Sequence, residues 1–224
     1  MSKKEIDRLL KKHFIISGII EYHDDGSISV DGDVELFDKS IKHLLVKFRK
    51  VSGFFDCSYT NLTSLEGAPQ EVGSDFSCGD TKIISLKGSP KKVGGEFYCD
   101  GTKITSLDGA PESVGSDFYC FDTKITSLEG APEFVGGYFY CKNTPFYEQF
   151  LVDENTQISA VRYLPGQFIN MLNNVDMKIT QSVQIIAVDT DPTVIRYIKN
   201  PTRMAQLTAV KKNPSVIKYI KNPD

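Results

Sequence analysis

From Val51 onward the apolar positions of this chain return on one fixed period, the step that separates Cys57 from Cys78 and Cys78 from Cys99. Val, Phe, Cys, a branched Ile or Leu, and a second Leu recur in the frame V-x-[GS]-x-F-x-C-x-x-T-x-[IL]-x-S-L-x-G-x-P, which starts at Val51, Val72, Val93 and Val114 and opens again at Val135. Around F-x-C, as in Glu96-Phe97-Tyr98-Cys99-Asp100, apolar and polar residues alternate with the period of a strand. A unit this short cannot bury its own apolar side, so copies must stack, and the period predicts a solenoid with a parallel sheet. Stacking predicts a buried column of Phe55, Phe76, Phe97, Phe118 and Phe139 and another of Cys57, Cys78, Cys99, Cys120 and Cys141. Leu65, Leu86, Leu107 and Leu128 fill the second wall. Thr60, Thr81, Thr102, Thr123 and Thr144 are placed where a side-chain oxygen can satisfy backbone donors as the chain leaves the sheet. The glycines from Gly67 to Gly130 and the prolines from Pro69 to Pro132 mark a sharp return with no room for a helix.

The period reaches beyond the clear copies. Shifted back by one period, Phe55, Cys57, Leu62 and Leu65 fall on Val34, Leu36, Ile41 and Leu44, all apolar, so Val30 to Lys50 reads as a degenerate first coil. At the other end Pro145 and Phe146 break the frame. Ahead of the coils, Ser2 and Glu5 have capping-box spacing, and Ile6, Leu9, Leu10 and Phe14 share a helical face. Ile15 to Val30 then alternates as a hairpin with Asp25-Gly26 in the turn. Covering an open solenoid end is a sufficient role for this segment, and a partner-binding helix is the alternative.

After a joining stretch at Pro145 to Asn155 a different repeat begins. Asp191 to Pro201 recurs as Asn213 to Pro223, and Gln184 to Val188 matches Gln206 to Val210 at the same offset. Proline after a capping Asp or Asn predicts a helix start, the Asn200-Pro201 and Asn222-Pro223 pairs predict stops, and each unit reads as two short helices. Val194, Ile195 and Ile198, with Val216, Ile217 and Ile220, form the apolar stripe, and Ala187 and Ala209 allow close crossing. An altered copy is read between Gln157 and Leu172. The expected class is therefore α+β. Residues 1–29 form a helix and hairpin cap, 30–147 a solenoid with a parallel sheet, and 148–224 a small all-α helical-repeat domain.

The run I-T-S-L-E-G-A-P-E-F-V-G-G-Y-F-Y-C-K-N-T, Ile125 to Thr144, resembles the short leucine-rich repeats of bacterial effector proteins, which place asparagine where this chain has threonine. Asp31-Gly-Asp-Val34, Lys50-Val-Ser-Gly53 and the S-L-E-G-A-P coils more closely resemble leucine-rich-repeat proteins encoded by bacteriophages, and the A-V-K-x-N-P and Y-I-K-N-P helical repeats strengthen that likeness. It covers about Glu21 to Thr144 in the coils. The resemblance implies a curved binding scaffold of viral origin and names no partner. Some effectors with similar repeats are ubiquitin ligases with a cysteine in a separate C-terminal domain. No cysteine follows Cys141 here, so that activity does not carry over.

Composition is that of an ordinary globular chain, 40% hydrophobic and 25% charged. No apolar run approaches the length of a membrane span or a secretion signal, so a cytoplasmic location is the expectation. The net charge of −3 conceals an asymmetry: residues 181–224 carry seven Lys or Arg against three Asp, which leaves −7 for the rest. That tail lacks the dense clusters of a phosphate-binding stripe and reads more simply as solvated helix faces. The five cysteines, one per coil at an inward position, are small buried hydrophobes rather than metal or redox ligands, and they contain no Cys-x-x-Cys pair. His13, His23 and His43 have no convincing nucleophilic set beside them, and glycine pairs such as Gly94-Gly95 lack the context of a phosphate loop. No catalytic residue, metal ligand or cofactor is assigned.

What remains is the outward row. Asp75, Glu96, Asp117 and Tyr138 form one column, Tyr98, Tyr119 and Tyr140 the next, and Asp100, Phe121 and Lys142 lie beside them. These positions vary while the inward ones repeat, which is where specificity can be written. Tyrosines flanked by acid suit a protein partner with basic groups. The alternative is a ladder that supports the sheet by cross-strand stacking, against which an exposed Phe121 is the contrary sign. The leading expectation is a non-enzymatic interaction scaffold that binds and inhibits a host protein through its concave face. Candidate contacts are Asp75, Glu96, Tyr98, Asp117, Tyr119, Phe121, Tyr138 and Tyr140. The alternative is nucleic-acid or nucleotide binding through the tyrosines and the basic tail, and an enzyme at the junction of the modules ranks last.

Overall fold

The computed structural model describes residues 1–174 and 179–220, in two compact units, Met1–Phe146 and Tyr147–Asp224. The first is a parallel β-solenoid. Helix α1 (Lys3–His13) leads directly into β1 (Phe14–Tyr22), which pairs antiparallel with β2 (Ser27–Leu36) along their whole length. Ser2 caps α1 reciprocally with Glu5, the Glu5 carboxylate accepting from the Ser2 N–H at 2.8 Å. Ile6 and Leu10 are buried, whereas Phe14 already belongs to the strand.

Each later coil contributes two short strands rather than one. β3 (Lys47–Val51), β5 (Glu71–Val72), β7 (Lys92–Val93), β9 (Ser113–Val114) and β11 (Phe134–Val135) stack as one parallel ladder. β4 (Phe55–Asp56), β6 (Phe76–Ser77), β8 (Phe97–Tyr98), β10 (Phe118–Tyr119) and β12 (Phe139–Tyr140) stack as a second. The ladders meet at β2, whose first half pairs with β3 and whose second half pairs with β4. The degenerate first coil is thus a strand of the hairpin. Val34 lies opposite Phe55, with Leu36 and Ile41 buried and Leu44 half-buried.

Register is held by backbone bonds that cross from each coil to the next. They alternate in direction, as in Phe76 N–H to Glu96 O at 2.9 Å and Gly94 N–H to Val72 O at 2.9 Å, so each rung both donates to and accepts from its neighbours. Identical side chains are then superposed. The phenyl rings of Phe55, Phe76, Phe97, Phe118 and Phe139 stack with centroids 5.0–5.6 Å apart and planes within 12°. Phe48 closes the column edge-on against Phe55, and Phe14 tilts against Phe48. Each such aromatic pair adds about 0.5–1.5 kcal/mol beyond the area it buries. The Val ladder and the Leu wall complete a dry core, with Val51, Val114, Leu65, Leu86 and Leu107 fully buried.

The cysteines are buried free thiols. Cys57, Cys78 and Cys99 each direct the S–H to a backbone carbonyl of the next coil, at 3.2–3.3 Å. The threonines act opposite to expectation: each hydroxyl donates to the cysteine carbonyl three residues earlier, at 2.6–2.8 Å, and so satisfies an acceptor. The chain turns between them through the second residue after each cysteine, Tyr59, Asp80, Gly101, Asp122 or Asn143, which takes a left-handed conformation with φ of 53–65°. The return turn runs through Gly67, Gly88, Gly109 and Gly130, also at positive φ.

The second unit is helical. α2 (Pro145–Val152) occupies the stretch read as a joining segment, and α3 (Glu154–Tyr163), α4 (Pro165–Asn174), α5 (Gln181–Thr190) and α6 (Arg203–Lys212) follow. The second element of each C-terminal repeat is a 3-10 helix, Pro192–Tyr197 or Pro214–Tyr219, capped by Asp191 or Asn213. Gln157, Gln184 and Gln206 hold equivalent places. Each donates its amide to a carbonyl just ahead of its own helix, at 3.0–3.1 Å. Ala187 on α5 and Ala209 on α6 are fully buried, and the two helices are in contact. Ile217 leaves the expected apolar stripe and is 49% exposed, although its counterpart Ile195 is buried. The Asn222-Pro223 stop lies outside the described residues. No helix among the described residues is long and apolar enough to cross a membrane.

Burial pushes all five thiols above their ordinary range, Cys141 to about 12. In the unfolded chain they ionise near pH 8.5. The unfolded state therefore releases protons that the folded state keeps, and stability present below that pH is lost as pH rises, by up to about 1.4 kcal/mol per pH unit per thiol. Urea unfolding followed from about pH 8 to about pH 10.5 should show this decline. An aromatic disulfide reagent should label no thiol until the chain unfolds, and rapid native labelling at Cys99 or Cys120 would contradict the packing.

Candidate functional site

The tyrosine column is a rung-by-rung continuation of the second ladder. Reading along the stack, the outward residue of each rung is Asp56, Ser77, Tyr98, Tyr119 and Tyr140. The three rings are stacked, Tyr98 on Tyr119 at 4.6 Å and Tyr119 on Tyr140 at 4.7 Å, with planes within 7°. The hydroxyl of Tyr98 donates to Glu96 and that of Tyr119 to Asp117 at 3.0 Å, each two residues back in the chain. Burial among the rings is the main cause that raises the phenol pKa of Tyr98, Tyr119 and Tyr140. The acceptor carboxylates add to it at Tyr98 and Tyr119. Tyr138 replaces the acid in the last coil and tilts against Tyr140 at 5.8 Å, and these two are the most exposed of the group.

Phe121 departs from the sequence expectation. It is half-buried, packed edge-on to Tyr119 with centroids 6.3 Å apart, so it is a flank of the tyrosine stack and not a free aromatic. Mutual stacking therefore accounts for much of what the tyrosines do. The informative feature is where the stack stops. Ser77 carries no ring, and a groove of about 600 Å³ opens there. Tyr98, Tyr119 and Phe121 border it on one side, and Phe54 and Tyr59 on the other. Asp56, Asp75, Asp80 and Asp100 also line it, and among the described residues no Lys, Arg or His does. Asp100 is half-buried between Asp80 and Asp122, and desolvation raises its pKa. Of the predicted contacts, the groove gathers Asp75, Tyr98, Tyr119 and Phe121. Glu96, Asp117, Tyr138 and Tyr140 lie on the same face outside its lining.

The acidic column has a second, hidden period. Asp33, Asp75 and Asp117 recur at every second coil, and each accepts from the backbone N–H of the coil that follows it, at Phe54, Glu96 and Tyr138, at 3.1, 2.8 and 2.7 Å. Glycine stands beside each carboxylate. A Cβ at Gly53, Gly95 or Gly137 would lie 1.9–2.0 Å from that oxygen. The [GS] position of the frame therefore alternates for a reason: Ser74 and Ser116 are allowed only in coils that follow no such aspartate. The column at Gly73, Gly94, Gly115 and Gly136 has a different cause, since a Cβ there would strike the carbonyl of the coil before it at 2.0–2.2 Å.

Phe54, Asp56, Tyr59 and Asp80 line the groove and are not among the expected contacts. Tyr59 and Asp80 occupy turn positions, and their signal is the left-handed conformation required two residues after each cysteine. Asp56 shares the outward column of the tyrosines but stands two rungs before the first ring, so no aromatic pattern marks it.

The other candidates are structural. His13 is buried and pairs with Asp38 at 2.7 Å, and His23 meets Ser29 Oγ at 2.8 Å. Among the described residues no group of three or more His, Cys, Asp or Glu could hold a metal ion. The chain matches no protein-family model, no curated protein and no solved structure.

Removing the Asp75 carboxylate (Asp75→Ala) should cost about 1.5–3 kcal/mol, the worth of a hydrogen bond to a charged group. Gly95→Ala should cost a similar amount by displacing the same carboxylate. In the Asp75→Ala background that second cost should shrink, giving a coupling of about 1 kcal/mol or more in a denaturant double-mutant cycle. Simple additivity would refute the alternation.

Proposed function

We propose that the chain is a non-enzymatic interaction scaffold of the leucine-rich-repeat class, of phage or mobile-element origin, whose tyrosine face binds a host protein and thereby blocks its activity. The reading rests on a division of labour along the rungs. Inward positions repeat Val, Phe, Cys, Ile and Leu with little change, while outward positions vary along the stack, from Asp56 through Ser77 to the tyrosines. The observation that carries it is the groove at Ser77, an aromatic-walled concavity with four carboxylates and, among the described residues, no countercharge in its lining. Amphipathic rings held rigid by stacking supply contact area with little entropy left to lose, and the carboxylates favour a partner with a basic surface.

Nucleic-acid binding through the tyrosines is the weaker reading, because a phosphate backbone would have to approach Asp56, Asp75, Asp80 and Asp100. One observation speaks for a nucleic-acid surface in the helical unit: Arg196 lies over the rings of Tyr197 at 4.6 Å and Tyr219 at 5.8 Å, a basic and aromatic cluster.

The test is affinity capture from host cells with the wild-type chain and with Tyr98→Ala, Tyr119→Ala and Tyr140→Ala combined. Loss of the captured protein, with circular dichroism and the cooperative unfolding transition retained, is the expected result. Capture unchanged by the triple substitution would discard the face. A salt-sensitive shift of labelled RNA, abolished by Arg196→Ala, would favour the second reading.

A further inference from the structure

The tyrosine stack ends on an open ring face. Tyr98 is covered by Tyr119 on one side at 4.6 Å, and on the other side the next rung presents only the hydroxymethyl group of Ser77. One rung further, in the same column, stands the carboxylate of Asp56. Ser77 leaves the place of a ring in that column open, inside the groove of about 600 Å³. Asp56 and Asp75 each use one carboxylate oxygen in hydrogen bonds, Asp56 to Ser58 and Asp75 to the Glu96 N–H. Among the described residues their second oxygens accept no hydrogen bond. Asp100 is half-buried in the same groove, whose lining holds no cation among the described residues.

We propose, building on the interaction reading above, that this slot takes an arginine side chain of the protein partner, with its guanidinium stacked on Tyr98 above Ser77 and its N–H groups turned to Asp56 and Asp75. Three properties of the slot select arginine. It is flat, bounded by a ring on one side, and a guanidinium is the one cationic side chain that stacks as a plane at any physiological pH. It is acidic without compensation, so a neutral aromatic would complete the stack but leave the carboxylates unpaired. It offers two carboxylates, Asp56 one rung from Ser77 and Asp75 in the same coil as Ser77, and a forked donor can reach two acceptors where an ammonium acts only as a point charge.

The experiment is a titration of the full chain, labelled with nitrogen-15, with the blocked tripeptides Gly-Arg-Gly, Gly-Lys-Gly and Gly-citrulline-Gly. The arginine peptide should give saturable shifts centred on the amides of Asp56, Ser77 and Tyr98. The lysine peptide should bind roughly fivefold or more weakly, and the isosteric but neutral citrulline peptide should give none. Ser77→Tyr fills the slot with a fourth ring, so it should abolish the arginine response while leaving the fold as stable or more so. Asp56→Asn should weaken the response about tenfold. No localised shifts, equal responses to arginine and lysine, or an arginine response that survives Ser77→Tyr would each overturn the assignment. If the arginine response is absent while partner capture still depends on the tyrosines, the slot is rejected and the interaction face stands. If the peptide binds at Ser77 while capture ignores the tyrosines, the slot is supported and the face is rejected as the capture site.

Discussion

The structure depends on one constraint: every coil must place the same backbone groups opposite those of its neighbours. Hydrogen bonds between adjacent coils run through both ladders and recur in the turns, as at Lys103 N–H to Ile83 O and Glu112 N–H to Lys91 O. A slip of one residue would expose the Phe and Cys columns and bury charge, so register is set by the same residues that form the core. The cost is a lack of local freedom. Positions where one coil's backbone touches the next accept no side chain, which is why glycine fills the column from Gly73 to Gly136.

Strict superposition also explains the chemistry of the array. Thiols fit where a small apolar group must lie over a copy of itself and lend a weak proton to a carbonyl of the next coil. Superposed rings stack on both faces of the sheet, phenylalanine inside and tyrosine outside. The inner column is closed by Phe48 and Phe14, whereas the outer one stops at Ser77 beside an open groove. The same packing rule thus yields a finished core and an unfinished surface stack.

The columns, the capping helix, the hairpin and the degenerate first coil could be read from the chain because each is a pattern of residue type at fixed spacing. Less visible was whatever depended on backbone direction. The extra strand at each Val is only two residues long in most coils and had no alternation to betray it. Residue pattern does not show which way the cysteine carbonyl faces, and the threonine hydroxyls, expected to accept, donate to it. Half of each C-terminal repeat tightens into a 3-10 helix that periodicity does not distinguish from an α-helix. At the site, the tyrosine column was legible and the groove was not. A groove is made by what Ser77 lacks, and by turn residues such as Tyr59 and Asp80 that no strand pattern selects.

The aspartate and glycine alternation bears on how such an array can change length. Deleting the coil that begins at Val93 would set Ser116 where Gly95 now stands, and its Cβ would occupy the space of the Asp75 carboxylate. Deleting two consecutive coils restores the match. Deleting the coil that begins at Val72 also avoids the clash, because Asp75 leaves with it and Gly95 then follows Phe54, so whether a single turn can be lost depends on whether that turn carries the aspartate.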